Sequence, residues 1–264
     1  MAQNGPVRPV RRGVYILPNL VTVSSLFVAF LGMLWAIEGL YTHCALAICV
    51  SALLDGMDGK IARLTNSASA FGVQMDSLAD AVAFGVTPAL MMYFWQLKNL
   101  DGRIGLAAAF LFLACGVLRL ARFNVMTGSI SKKFFIGMPI PAAACALAAL
   151  VLFNQHLPRW AQPALPGLSL GLTLLLALLM VSRIRYFSFK EFGFLETRPF
   201  YALVCMLLLF GLLIIQPRIF GFSFFIGYLI SGPIYTFFFY RRKLAQTDPA
   251  GGAADPAPPG EKEE

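Results

Sequence analysis

Asp55-Gly-Met-Asp58-Gly-Lys-Ile-Ala-Arg63, then eight residues, then Gly72-Val-Gln-Met-Asp76-Ser-Leu-Ala-Asp80, is the stretch that decides how this chain folds and where its chemistry sits. The sequence around it is strongly apolar. A carboxylate at bilayer depth costs roughly 3 kcal/mol on insertion scales. Four of them within 26 residues need an offset, and divalent metal ions are the cheapest one. Residues three or four apart share one face of a helix. Asp55 and Asp58 are spaced i, i+3, and Asp76 and Asp80 are spaced i, i+4. Two antiparallel helices joined by a short turn would bring these faces together, and four carboxylates would converge on one small volume. Such like charges repel without cations. Hard ions with oxygen ligands resolve the repulsion, and Mg²⁺ or Mn²⁺ suits an all-carboxylate set. Two such ions can clamp a phosphate and polarise its leaving group.

The whole chain fits a membrane reading. It has 264 residues, 58% hydrophobic and 13% charged, where soluble domains are about a quarter charged; its mean hydropathy is +0.73. Apolar runs of about 20 residues span a hydrocarbon core, and without strict alternation they are helices. Eight segments are expected: Leu17–Ile37, Thr42–Leu64, Phe71–Gln96, Ile104–Val125, Pro139–Phe153, Leu165–Ser182, Phe200–Ile215 and Phe220–Tyr240. The basic Met1–Gly13 stretch is read as preceding a retained first helix, since that segment is too long for a secretory h-region. The Pro-, Gly- and acid-rich Gln246–Glu264 reads as a disordered tail.

A net charge of +8 raises the possibility of a nucleic-acid partner, but its distribution excludes it. The odd-numbered gaps between segments hold Lys98, Arg103, Arg159 and Arg218; the other 17 of 21 basic residues lie at the termini and around the even gaps. That asymmetry predicts both termini, the even gaps and the aspartates on the cytoplasmic face; the location expected for the chain is a cell membrane, a bacterial inner membrane. The excess charge can also attract anionic headgroups. Cys44, Cys49, Cys115, Cys145 and Cys205 are isolated in apolar runs, which indicates neither a metal site nor a disulfide framework. His43 and His156 fall at the opposite side from the aspartates. The Gly-Met-Asp-Gly-Lys echo of a phosphate loop lacks the full motif and a preceding strand.

Gly56, Gly59, Ala62 and Gly72 surround the aspartates and would let a ligand or a backbone approach closely. Arg63 can pair with a phosphate. The competing reading has the glycines packing helices and the aspartates pairing with Lys60, Arg63 and Arg119.

The run matches D-x2-D-G-x2-A-R-x8-G-x3-D-x3-D, and the chain therefore resembles the CDP-alcohol phosphatidyltransferases. The resemblance implies an all-α polytopic membrane enzyme with a six-helix core, usually a homodimer, which displaces CMP from a CDP-linked lipid with an alcohol. Here that core would span residues 17–185, after a basic segment 1–16 and before two additional transmembrane helices within 186–245 and the tail 246–264. Carried over by position, Asp55, Asp58, Asp76 and Asp80 would hold two ions, and Asp80 would also accept the proton of the attacking hydroxyl. Gly59, Arg63, Ser69 and Gly72 would lie against the CDP-lipid. Asn19 and Thr22, in Pro18-Asn-Leu-Val-Thr22, match the first-helix stretch beside the nucleotide.

Three further segments resemble the subgroup of that family whose acceptor is serine: Arg119-Leu-Ala-Arg122-Phe-Asn124, Phe135-Ile-Gly-Met-Pro139-Ile-Pro141 and Ser182-Arg-Ile-Arg-Tyr-Phe-Ser-Phe-Lys190. A site for L-serine needs a fixed cation for the carboxylate and a polar acceptor for the ammonium. Arg119, Arg122 and Asn124 are candidates, although both arginines can equally anchor topology or bind lipid phosphates. Lys132 and Lys133 read as topology or headgroup residues. Ser77 sits beside the aspartates but has no histidine base, which disfavours a covalent phosphatidyl-enzyme. Two alternatives remain: the same transfer to glycerol 3-phosphate, inositol phosphate or choline, and a divalent-cation transporter, whose site would normally lie near the midplane.

Overall fold

In the computed structural model, residues 16–65, 69–100, 103–126, 135–182, 184–186 and 217–234 are described. The basic N-terminal segment, Lys132, Lys133, the Phe200–Ile215 segment and the C-terminal tail lie outside them. The described chain is helical: α1 (Ile16–Ile37), α2 (Tyr41–Leu64), α3 (Ala70–Asp80), a π-helical turn (Ala81–Val86), α4 (Thr87–Trp95), α5 (Ile104–Met126), α6 (Ile140–Phe153), α7 (Leu165–Val181) and α8 (Pro217–Ile234). Short 3₁₀ turns at Leu97–Asn99, Asn154–His156 and Arg159–Ala164 link them. By length and composition alone, four stretches among the described residues are apolar enough to cross a membrane: Leu17–Ile37, Phe71–Trp95, Ile104–Val125 and Arg159–Val181. Large apolar side chains such as Phe27, Phe30, Leu53, Phe110, Leu118 and Leu178 point outward. A water-soluble surface would not sustain so much exposed apolar area, so this is a membrane protein with a lipid-facing exterior.

The first two helices form an antiparallel hairpin because the α1 C-terminus is capped. Leu40 N–H donates to Trp35 O (2.8 Å) and Gly39 N–H to Ala36 O (3.3 Å). This Schellman arrangement requires a left-handed residue, and Gly39 supplies it with φ +81°. Along the hairpin, Ser25 and Ser51 each donate to the other's carbonyl at 3.1 Å. α1 also packs on α3 and α4, α2 on α6, α5 on α7, and α8 on α6.

The expected third segment, Phe71–Gln96, is one helical rod with a changed register inside it. Pro88 has no N–H and its ring would crowd the preceding turn of an α-helix. The chain widens to a π turn just before it, and Thr87 N–H and Oγ1 both reach back to Val82 O, the latter at 3.0 Å. One inserted residue turns the following face by about 100°. So Asp76 and Asp80 face one direction in α3, while Met91, Met92 and Trp95 of α4 turn into the core.

α6 occupies the centre. Ile140, Ala143, Ala144, Leu147, Ala148 and Leu150 are all fully buried, and the helix is apolar on every side. Its run of alanines allows close helix contact, which matters where lipid offers no hydrophobic advantage over protein. Before it, Phe135–Ile136 pairs antiparallel with Arg185–Tyr186, a small departure from an all-helical chain. Gly137 has φ +85°, and a Cβ there would collide with Met180 O. Its N–H donates to Ile184 O (2.9 Å), and Met138 N–H donates to Leu179 O (3.1 Å). This knot ties the start of α6 to the end of α7. It lies at the same end of the bundle as the start of α1, the end of α2, the start of α3 and the end of α5.

Candidate active site

That end of the bundle gathers the aspartates. Carboxylate oxygens of Asp55, Asp76 and Asp80 all lie within 4.8 Å of one another, at half-buried positions. Asp55 and Asp80 are in direct hydrogen-bonding reach. At this range two unit charges repel by about 3–4 kcal/mol even at an effective dielectric of about 20. The donor set is therefore one that fits a cation: three hard oxygens, half out of water, suited to Mg²⁺ or Mn²⁺.

Asp58 is placed differently. It is only 5% exposed and its Oδ2 accepts a 2.7 Å hydrogen bond from Thr22 Oγ1. Thr22 Oγ1 is also 3.1 Å from Pro18 O. A hydroxyl has one proton, and the shorter, charge-assisted contact to Asp58 takes it. α1 thus holds Asp58 in place at the edge of the three-carboxylate group. Asn19, one turn earlier, lies against Gly72, where an added Cβ would stand 3.5 Å from Asn19 Oδ1 and 3.2 Å from Ser69 Oγ. Ser69 caps α3, its Oγ accepting from Gly72 N–H at 3.0 Å. A β-carbon at Gly59 or Gly56 would meet nothing within 4 Å, so these positions leave open room on α2 beside Asp55 and Asp58. Arg63 lies on α2 with its side chain outside the described residues.

The three candidates on α5 separate in role. Arg119 lies within electrostatic reach of Asp80, and its Nε is buried without a hydrogen-bond partner. Arg122 instead reaches Val181 O at the end of α7, at 3.5 Å. Asn124 Nδ2 donates to Ser77 Oγ at 2.9 Å, and Ser77 Oγ lies 3.0 Å from Val73 O. Ser77 lies between the two aspartates of α3, so Asn124 ties α5 to the helix that carries them.

The sequence alone does not reveal the Thr22–Asp58 and Asn124–Ser77 bonds, because they join residues 36 and 47 positions apart. Nor does it reveal that Tyr228 of α8 comes within electrostatic range of Arg119. Cys49 and Cys145 are free thiols within hydrogen-bonding reach of one another between α2 and α6. His43 packs against Trp35, and His156 stacks on Phe153, both away from the aspartates.

Fold and site together define a helical membrane protein with an oxygen-rich site able to hold a hard cation. The model of the CDP-alcohol phosphatidyltransferase family matches residues 15–181. The chain belongs to that family, and it is a transferase of phospholipid biosynthesis. It is 43% identical over 186 residues to a CDP-diacylglycerol–serine O-phosphatidyltransferase of Helicobacter pylori, covering 70% of this chain and 76% of that protein. A protein of the same name from Methanocaldococcus jannaschii is 34% identical over 174 residues, covering 66% and 77%. An archaetidylserine synthase of Methanothermobacter thermautotrophicus is 37% identical over 139 residues, covering 52% and 58%.

Proposed function

We propose that this protein transfers the phosphatidyl group of CDP-diacylglycerol to the hydroxyl of L-serine, giving phosphatidylserine and CMP. The observation that carries this reading is Arg119 within electrostatic reach of Asp80, a member of the Asp55–Asp76–Asp80 cluster. A cation would then stand within electrostatic reach of the carboxylate proposed as the base. An acceptor bearing its own carboxylate fits that pairing. The names of the relatives support the same acceptor.

The proposed roles follow from position. Asp55, Asp76 and Asp80 would hold the ions, with Asp58 completing the set from its Thr22-supported place. Bound Mg²⁺ or Mn²⁺, two ions in this reading, would neutralise charge on the diphosphate and on departing CMP. Gly59, Arg63, Ser69, Gly72, Asn19 and Thr22 would contact the CDP-lipid, and the open room at Gly56 and Gly59 would admit its headgroup. Asp80 takes the proton of the serine hydroxyl. The serine oxygen attacks the phosphorus that carries diacylglycerol. The phosphoanhydride bond breaks, and the electron pair leaves with CMP. Arg119 holds the serine carboxylate through its planar fork. Arg122 and Asn124, engaged with Val181 and Ser77, keep α5 in register with α7 and α3.

The enzyme is further proposed to work as a homodimer in a bacterial inner membrane, with eight transmembrane helices, both termini in the cytoplasm and the site at the cytoplasmic face. Purified protein supplied with Mg²⁺ or Mn²⁺, CDP-diacylglycerol and labelled serine, glycerol 3-phosphate, inositol phosphate or choline tests the acceptor. Labelled phosphatidylserine as the dominant product supports the assignment; preferential labelling by another alcohol overturns it. CDP-lipid-independent cation flux without CMP release would instead point to a transporter.

A further inference from the structure

π turns are rare inside helices and concentrate at functional sites. The one in this chain starts at Ala81, the residue after Asp80, and runs to Val86. Pro88 gives a reason for a break in the rod; its position directly after Asp80 has a second. The two halves of the rod are held differently. In α4, Thr87, Pro88, Ala89, Met91, Met92 and Trp95 are buried. Among the described residues of α3 only Ala79 is buried, while Phe71, Val73 and Leu78 are exposed. The buried half therefore fixes the rotation of the rod, and the extra residue between the halves decides where the carboxylates of α3 point. One residue is about 100° of turn, which moves a carboxylate about 5–6 Å from the helix axis by about 8–9 Å. Carboxylate oxygens of Asp55, Asp76 and Asp80 lie within 4.8 Å of one another. An unbroken α-helix would carry Asp76 and Asp80 out of reach of Asp55.

Thr87 closes the turn. It is fully buried, its N–H donates to Val82 O, and its Oγ1 lies 3.0 Å from the same oxygen and 3.4 Å from Ala29 O of α1. A hydroxyl has one proton, and the shorter contact to Val82 O takes it. The Thr87 methyl is held as well, since a Cβ on Gly32 of α1 would stand 3.2 Å from Thr87 Cγ2. On α5, Leu113 Cδ1 would stand 2.9 Å from a Cβ on Gly85. The turn is clamped between α1 and α5.

We propose that this π turn aims Asp76 and Asp80 at Asp55, and that Thr87 is a positioning residue which holds the turn, and with it Asp80, in place. This rests on the reading of the aspartates as an ion site.

The test uses the full-length purified protein, an Ala83 deletion, Thr87→Val and Thr87→Ser. Deleting Ala83 makes the Thr87 N–H to Val82 O bond an ordinary α-helical one. The shortened chain is expected to elute as wild type does and to lose both saturable Mn²⁺ binding and CMP release. Valine keeps the shape of threonine and removes one neutral hydrogen bond, which corresponds to about 2- to 10-fold in an equilibrium or rate ratio. Thr87→Val should weaken Mn²⁺ binding and lower kcat by that factor, leave the serine KM within about twofold, and be rescued by Thr87→Ser. A folded Ala83 deletion that binds Mn²⁺ and releases CMP as wild type does overturns the proposal. Should the shortened chain not elute as wild type does, the Thr87 pair decides alone. A Thr87→Val variant with a lower Tm but unchanged Mn²⁺ affinity, or a Thr87→Ser variant as impaired as the valine one, overturns the proposal while the ion-site reading stands. A wild-type protein that binds no Mn²⁺ saturably overturns both.

Discussion

Replacing Thr22 by valine removes one oxygen from the site and little else, and the expected loss can be worked from the geometry. The Thr22 Oγ1–Asp58 Oδ2 bond is 2.7 Å long, between side chains only 6% and 5% exposed. Water has little room to replace the hydroxyl, and valine nearly matches threonine in shape. A hydrogen bond to a charged group contributes about 1.5–3 kcal/mol, which corresponds to about 10- to 150-fold in an equilibrium or rate ratio. If Thr22 holds Asp58 for metal and CDP-lipid, kcat/KM for CDP-diacylglycerol falls by that factor in Thr22→Val. The Mg²⁺ concentration needed for half-maximal rate rises with it. Thr22→Ser keeps the hydroxyl and should recover most of the activity. CMP release measured across a Mg²⁺ titration reads both effects. Wild-type kcat/KM and an unshifted Mg²⁺ requirement in Thr22→Val would refute the reasoning, as would a Thr22→Ser variant as impaired as the valine one.

Asp80→Asn should abolish detectable transfer while the protein still inserts and elutes as wild type, since the amide can neither accept the hydroxyl proton nor match the carboxylate as a cation ligand; near-normal turnover would remove Asp80 as the base. EDTA should stop CMP release and added Mg²⁺ or Mn²⁺ should restore it, whereas turnover that survives chelation would contradict a role for divalent ions. Arg119→Ala should raise the serine requirement more than Arg122→Ala, because Arg122 is engaged by Val181 O; serine saturation curves of the two variants compare them directly. Gly137→Ala forces a β-carbon onto a left-handed backbone and toward Met180 O. It should destabilise by about 1–3 kcal/mol, read as a lower Tm in detergent.

Most of the helices were legible because each apolar run is long and lacks strand alternation. The bounds expected for the first helix, Leu17–Ile37, and for α5, Ile104–Val125, differ from those observed by one residue at most. The pairing of Asp55 with Asp76 and Asp80 was legible from their spacing on two helices close in sequence, whereas the separate place of Asp58, held by Thr22, was not. The π turn was not legible: a shift of one residue leaves the hydropathy of Phe71–Gln96 unchanged, and only Pro88 marked a conflict. The β pairing of Phe135–Ile136 with Arg185–Tyr186 was hidden because two-residue strands carry no periodicity. The partners of Arg122 and Asn124 were beyond reach for another reason. They are set by how α3, α5 and α7 pack, and helix packing leaves no local mark in the sequence. α8 begins at Pro217, three residues before the expected start, because proline is well tolerated in a first turn.

Direct binding of Mn²⁺ to purified protein, with the free ion followed by its electron paramagnetic resonance signal, is the measurement closest to the centre of this account. Saturable binding of two ions per wild-type chain is expected, with marked loss in Asp76→Asn and near-complete loss when Asp55 and Asp80 are both replaced by asparagine. Wild-type protein that takes up no Mn²⁺ saturably, or variants that bind it as well as wild type does, would contradict it.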